Sequence, residues 1–260
     1  MVDQEIEKNE LNLLSDELNS LHEAKQVLIE EIESTKNDIN FLSQYKSLIA
    51  DHQKNKKLYV GKEYVDLGAR NNNKDQFLRW FNLDGSGMGN SSGMRGFKYI
   101  NKPRKTSLKA FVILITSNVG DIRGNNKWKD AINTESKKIM YFGDAKMDQK
   151  KKAEDFLGNK IVLNISDHIL EGKCEFIPPI LHFTKERVGY MKFNGLCIMN
   201  DLKRSFHIEN DIKVRNYILD LKILDVDYIS LDWLHLRRID YNSSLKIQPD
   251  HWSEYITSIM

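Results

Sequence analysis

The spacing of apolar positions changes near residue 58 and divides the chain in two. From Leu11 to Ile49, apolar residues recur at alternating intervals of three and four: Leu11, Leu14, Leu18, Leu21, Leu28, Ile32, Ile39, Leu42 and Ile49. Lys25, Thr35 and Lys46 take the remaining seam positions, and no Gly or Pro interrupts the run. A heptad seam of this length predicts a long helix that associates as a coiled coil, with the seam lysines fixing its register. Leu13, Val27, Ile29, Phe41 and Leu48 widen the stripe in places, and a helix folded back on its own domain satisfies the same pattern. The polar stretch Asp51–Lys57 (DHQKNKK) then reads as a linker. The expected organisation is a coiled-coil helical arm at 1–52 and a second domain at 53–260.

In the second domain the apolar segments are short and alternating, as strands are. Phe111–Ser117 is a continuous apolar run and predicts a strand covered on both faces. Further strands are expected at Lys138–Phe142, Ile161–Ile165, Ile180–Phe183, Tyr190–Met199 and Val214–Leu224. In the last, Tyr217, Leu219, Leu221 and Ile223 alternate with Asn216, Asp220 and Lys222, which predicts one buried and one wet face. Two short helices are expected at the end, one after Ser230 with Trp233 and one after Pro249 with Trp252. Asn71–Asn73 and Asp84–Gly93 (DGSGMGNSSG) read as loops. The fold class is therefore α+β: a β-rich domain preceded by a long N-terminal coiled-coil helix.

Composition sharpens this picture through charge. Residues 1–50 hold 11 acidic and 4 basic residues, a net of −7. The whole chain has 39 basic and 37 acidic residues, so 51–260 keeps 35 and 26, a net of +9. A basic body suits a phosphate backbone. No apolar run approaches the ~20 residues of a membrane span, and no basic start leads into an apolar stretch, so neither membrane nor secretion is expected. Cys174 and Cys197 do not form a metal-type pair, and a reduced cytoplasmic protein without a cofactor is expected.

The chain has no HExxH, HNH-like, GxSxG or GKS/T pattern, so no catalytic residue is assigned. Asp211 with Asp220-Leu-Lys222 loosely fits the metal site of many nucleases, which keeps a metal-dependent nuclease as the alternative reading. The most informative stretch is Ile139-Met-Tyr-Phe-Gly-Asp-Ala-Lys146. An aromatic face stacks on a base turned out of a duplex, and a carboxylate accepts from an exocyclic amine such as cytosine N4. The basic runs Lys98, Lys102, Arg104, Lys105, Lys109 and Lys146, Lys150–Lys152 suit phosphates.

Eight short pieces occur in order: Gly89-Asn-Ser-Ser-Gly-Met-Arg95, Trp128-Lys-Asp130, Tyr141-Phe-Gly-Asp144, Gly158-Asn159, Ile177-Pro-Pro-Ile-Leu-His-Phe183, Phe193-Asn-Gly-Leu196, Arg215-Asn-Tyr217 and Trp233. Over about 58–255 the series resembles the N-terminal recognition domain of AspBHI-type modification-dependent endonucleases. That resemblance implies an SRA-like twisted, barrel-like sheet that binds duplex DNA and flips a 5-methylcytosine into a pocket; the expected function is recognition of duplex DNA carrying 5-methylcytosine or 5-hydroxymethylcytosine. It implies that Asp144 reads the base edge and that Tyr141 or Phe142 stacks on it. Asn90, Arg95, Lys98, Lys102, Arg104, Lys105, Lys146 and Asn159 are expected to contact DNA. Where the family's loop usually carries Phe this chain has Met94, and Ala145 follows Gly143-Asp144 where Asn is usual. The expected partners are modified double-stranded DNA, a second copy through the arm, and a separate nuclease or helicase subunit.

Overall fold

The computed structural model describes residues 21–22, 25–30, 32–33, 36, 57–65, 93–100, 108–117, 130–148, 150–186 and 190–259. The chain divides into two compact units, Met1–Asp51 and His52–Met260. In the first, the described residues are helical, and Leu21, Leu28 and Ile32 are exposed. Most of the expected coiled-coil seam lies outside the described residues.

The second unit is built on a mixed sheet. Its strands are β1 (Lys57–Tyr59), β2 (Glu63–Val65), β3 (Gly93–Phe97), β4 (Phe111–Ser117), β5 (Ala131–Asn133), β6 (Lys138–Phe142), β7 (Ile180–Lys185), β8 (Tyr190–Glu209), β9 (Ile212–Ile223) and β10 (Tyr228–Ser230). The main sheet runs β3-β4-β7-β8-β9-β6-β5, with β2 on β8, while β1 and β10 pair separately. Among the described residues only β4 and β7 pair in parallel; every other pairing is antiparallel. The apolar run Phe111–Ser117 is flanked on both sides by strands, and its side chains from Phe111 to Thr116 are all buried.

The described residues of the unit also form the α-helices α1 (Leu157–Leu170), α2 (Leu231–Ile239), α3 (Tyr241–Ser244) and α4 (Asp250–Ile259). The strand expected at Ile161–Ile165 is part of α1. Ile161, Val162 and Ile165 fall at helical spacing and pack with Met94, Val112, Ile139, Tyr141, Leu219 and Leu221. Trp233 and Trp252, at the expected helices near the end, are buried against each other, ring centroids 6.0 Å apart.

The sheet curls around α1 without closing into a barrel. β3 and β6 lie near opposite ends of the strand order, yet Tyr141 on β6 packs in one core cluster with Met94 on β3, and a Cβ on Gly93 would lie 3.8 Å from its hydroxyl. Among the described residues β3 does not pair with β5 or β6, so the sheet is open rather than the expected barrel. No described helix is long and apolar enough to cross a membrane.

Candidate nucleic-acid interface

Strand alternation separates the two aromatic residues at the end of β6. Tyr141 points into the core with α1 and is 3% exposed, whereas Phe142, on the opposite face, is half-buried. They cannot stack on one base from the same side. The Phe142 N–H donates to Asp130 Oδ1 at 2.8 Å. Burial pushes the Tyr141 phenol well above the ordinary tyrosine range; Asp144 and Asp130 push the same way, and Arg95 opposes them. Two carboxylates and a guanidinium thus bear on the charge of one phenol. Arg95 is half-buried on β3 and donates from Nη1 to the Met94 carbonyl at 2.9 Å. Asp130 is the member that sequence reasoning passed over, although it ends one of the eight pieces.

Beyond β6 the chain makes a clasp with the start of α1. Asp144 accepts from the backbone N–H of Gly158 at 2.9 Å and of Asn159 at 3.1 Å. These are orphan donors in the first turn of a helix, so Asp144 caps α1 from thirteen residues before its first residue. In return Asn159 Oδ1 accepts from the Asp144 N–H at 3.2 Å. Asn159 Nδ2 donates to Ala153 O and Asn216 Oδ1, and Asn216 Nδ2 donates to Gly143 O at 2.6 Å. The glycines are sterically required: a Cβ on Gly143 lands 1.9 Å from Asn159 Oδ1, and one on Gly158 lands 2.9 Å from the Asp144 carboxyl. Three of the eight pieces therefore meet in one hydrogen-bonded unit.

This geometry bears on the expected roles. Asn159 is fully buried and its amide is engaged inside the domain, so it offers no surface to DNA. Both Asp144 oxygens already hold helix N–H groups, and any base contact must share them. Met94 is fully buried in the core with Tyr141, where an apolar residue other than Phe fits. Ala145 is fully buried with Tyr217 and Ala153, a place where Asn would need new hydrogen-bond partners.

Lys98 and Lys146 are exposed. Lys146, Lys151, Lys152, Lys213 and Arg215 line a cleft of about 280 Å³ together with Asp148 and Glu154. Glu154 accepts from the Tyr217 hydroxyl at 2.7 Å, which holds its carboxyl below the usual range. Asn90, Lys102, Arg104 and Lys105 lie outside the described residues. Asp211 sits in the turn between β8 and β9 with φ 63°, while Asp220 lies far along β9 and accepts from Asn200 at 3.0 Å. Nine residues of strand separate the two aspartates by roughly 30 Å, so they do not share a metal ion. Among the described residues no three His, Cys, Asp or Glu side chains converge as a metal site.

The fold thus combines a curled sheet packed on one helix, an aromatic strand end clasped to that helix and a basic cleft. Residues 58–260 match the family model "Restriction endonuclease AspBHI N-terminal", and the chain belongs to that family. The fold is also that of three solved structures. The DNA modification-dependent restriction endonuclease AspBHI aligns with TM-score 0.63 and 21% identity over 80% of this chain and 52% of its own. The DNA recognition domain of the cytosine modification-dependent restriction endonuclease LpnPI aligns with TM-score 0.59 and 20% identity over 78% and 87%. The MspJI restriction endonuclease in complex with a 27-mer oligonucleotide aligns with TM-score 0.62 and 19% identity over 80% and 53%. The chain thus spans about half the length of AspBHI and MspJI. A search of curated proteins finds no match.

Proposed function

We propose that the domain recognises duplex DNA carrying a modified cytosine, 5-methylcytosine or 5-hydroxymethylcytosine, and turns the base out against the strand end at Phe142 and Asp144, as the specificity module of a restriction system. The observation that carries this reading is the end of β6: Asp130 accepts from the Phe142 N–H at 2.8 Å, Asp144 follows two residues on, and the Arg95 guanidinium and the Tyr141 hydroxyl both lie beside Gly93. A flipped base is read on its Watson–Crick edge between stacking side chains. Carboxylates accept from cytosine N4, and a guanidinium donates to its ring acceptors. The five cations of the cleft neutralise flanking phosphates. The partner subunit is a nuclease or helicase, and the arm pairs two readers in parallel through its seam.

Gel shifts with otherwise identical duplexes bearing C, 5-methylcytosine, 5-hydroxymethylcytosine, A or 6-methyladenine test the reading. The parent should prefer a modified cytosine, with increased 2-aminopurine fluorescence beside the target. Asp130→Asn keeps an oxygen for the Phe142 N–H but replaces one acceptor by a donor; it should lose roughly tenfold or more in preference. Equal binding to all five duplexes, or full discrimination by Asp130→Asn and Asp144→Asn alike, rejects the pocket. Sedimentation should give a dimer for the full chain and a monomer without residues 1–52; two monomers would reject pairing through the arm.

A further inference from the structure

The outer half of the β8–β9 hairpin extends past its neighbours. β7 last pairs with β8 at Cys197, and β6 last pairs with β9 at Ile218. Beyond these points β8 and β9 continue as a ladder of their own to Glu209 and Ile212. Between Lys203 and Glu209 this two-stranded ribbon runs for roughly 20 Å. One side of it is backed by the chain after β6, through Gly143 N–H to Tyr217 O and Met147 N–H to Glu209 Oε2.

The ribbon's free face carries an unusual set of side chains. Phe206 lies directly opposite Arg215, and Ile208 opposite Lys213. Phe206 is 52% exposed and Ile208 75% exposed, while Arg204, Lys213 and Arg215 are exposed beside them. The Lys213 ammonium sits 4.2 Å from the centre of the Phe206 ring. Water-exposed apolar side chains interleaved with cations suit a polyanion that also presents apolar surface. The acids nearby leave this face cationic: Glu209 turns toward Met147, Glu154 pairs weakly with Arg215 at 3.9 Å, and Asp211 sits in the turn.

We infer that this ribbon is a groove-reading element: it enters the DNA major groove, with Phe206 and Ile208 against base edges and Arg204, Lys213 and Arg215 on the flanking phosphates. The assignment rests on the DNA-binding reading above and adds to it a second contact surface beyond the end of β6. A two-stranded ribbon fits the roughly 12 Å major groove and is too wide for the roughly 6 Å minor groove. The apolar partners available there are the 5-methyl groups of thymine and of a methylated cytosine. Lys213 and Arg215 also line the basic cleft, so ribbon and cleft form one continuous cationic surface.

The test uses the full chain with a duplex carrying one 5-methylcytosine and its unmodified twin. A Phe206→Ser/Ile208→Ser double variant should weaken binding to both roughly ten- to hundredfold, with an unchanged slope against salt. The Lys213→Ala/Arg215→Ala variant should lower that slope by about 2. Guanine N7, a major-groove atom, should be protected from dimethyl sulfate by the parent and not by the Ser variant. Leu170→Ser, at an 82% exposed position on α1, is the control and should bind like the parent. Parental affinity and N7 protection in the Ser variant overturn the ribbon assignment while leaving the pocket reading intact. A parent that binds without preferring the modified duplex, and a Ser variant that weakens, retains the ribbon and removes the pocket. Absence of DNA binding by the parent overturns both.

Discussion

Gly143 and Asp144 show how a two-residue motif is held by geometry. Asp144 supplies two acceptors to the first turn of α1, and loss of such a cap costs about 1–2 kcal/mol. Asp144→Ala should therefore lower the urea midpoint, and Asp144→Asn, which keeps one acceptor, should lower it less. Gly143→Ala should cost more than either, because its Cβ falls within 1.9 Å of Asn159 Oδ1; Gly172→Ala meets no atom within 4 Å and is strained only by its φ of 65°. Equal midpoints for Gly143→Ala and Gly172→Ala would contradict the clasp. His182 offers a second residue-scale case. It is fully buried, its Nε2 is 3.0 Å from Thr116 Oγ1 and its Nδ1 is 3.2 Å from Asn194 Nδ2. An amide nitrogen only donates, so Nδ1 accepts, Nε2 carries the hydrogen and the ring is neutral. Burial pushes its pKa down to about 3 from the usual 6.5. The unfolded chain takes up a proton between these values that the folded chain refuses. Stability from the neutral ring is thus complete above pH 6.5 and is lost as pH falls toward 3. Unfolding in urea should show a loss on the order of 2–3 kcal/mol between pH 7 and pH 4.5, and His182→Gln should flatten that loss. An identical pH dependence in the variant would assign it to other groups.

At the scale of elements, the sequence was legible where one period dominates. β4 and β6 follow the predicted ranges, and the helices after Ser230 and Pro249 begin where their first-turn signals place them. The middle of α1 reads as a strand in the sequence because Ile161, Val162 and Ile165 are β-branched and the run is too short to separate the two periods. Its capping signal is also remote: Phe156 stands at the N-cap without a side-chain hydrogen bond, and the cap comes from Asp144. No local pattern announces that pairing. The same holds for Asn159 and Asn216, whose mutual bond joins residues 57 apart. α2 presents a different element-scale device. Arg237, 1% exposed, donates to Ala110 O at 2.9 Å and Ile177 O at 3.0 Å, and its guanidinium carbon lies 5.2 Å from the Tyr241 ring centre. It pins the helix to the start of β4 and to the approach to β7. Arg237→Ala leaves two carbonyls unpaired and a cavity, and should cost about 3 kcal/mol or more in thermal or urea unfolding. A change under about 1 kcal/mol would mean that water replaces the guanidinium.

Across the whole molecule, charge asymmetry and the change of hydrophobic period mark out an acidic arm and a basic, β-rich body in one dimension. The curl of the sheet is different in kind: it joins Tyr141 to Met94 across the strand order, and no linear pattern encodes it. The clasp and the curl also differ in when they can form. Asp144 and Asn159 are fifteen residues apart, so their contact closes a short loop at little entropic expense. The Tyr141–Met94 contact needs β4, β7, β8 and β9 already assembled between them. Folding kinetics should separate the two: Asp144→Asn should mainly slow refolding, and Met94→Ala should mainly speed unfolding. If Asp144→Asn altered only unfolding, the clasp would be a late event. The expected order makes β6 with α1 the scaffold on which the sheet winds, so the aromatic strand end is fixed before the far edge arrives to enclose it.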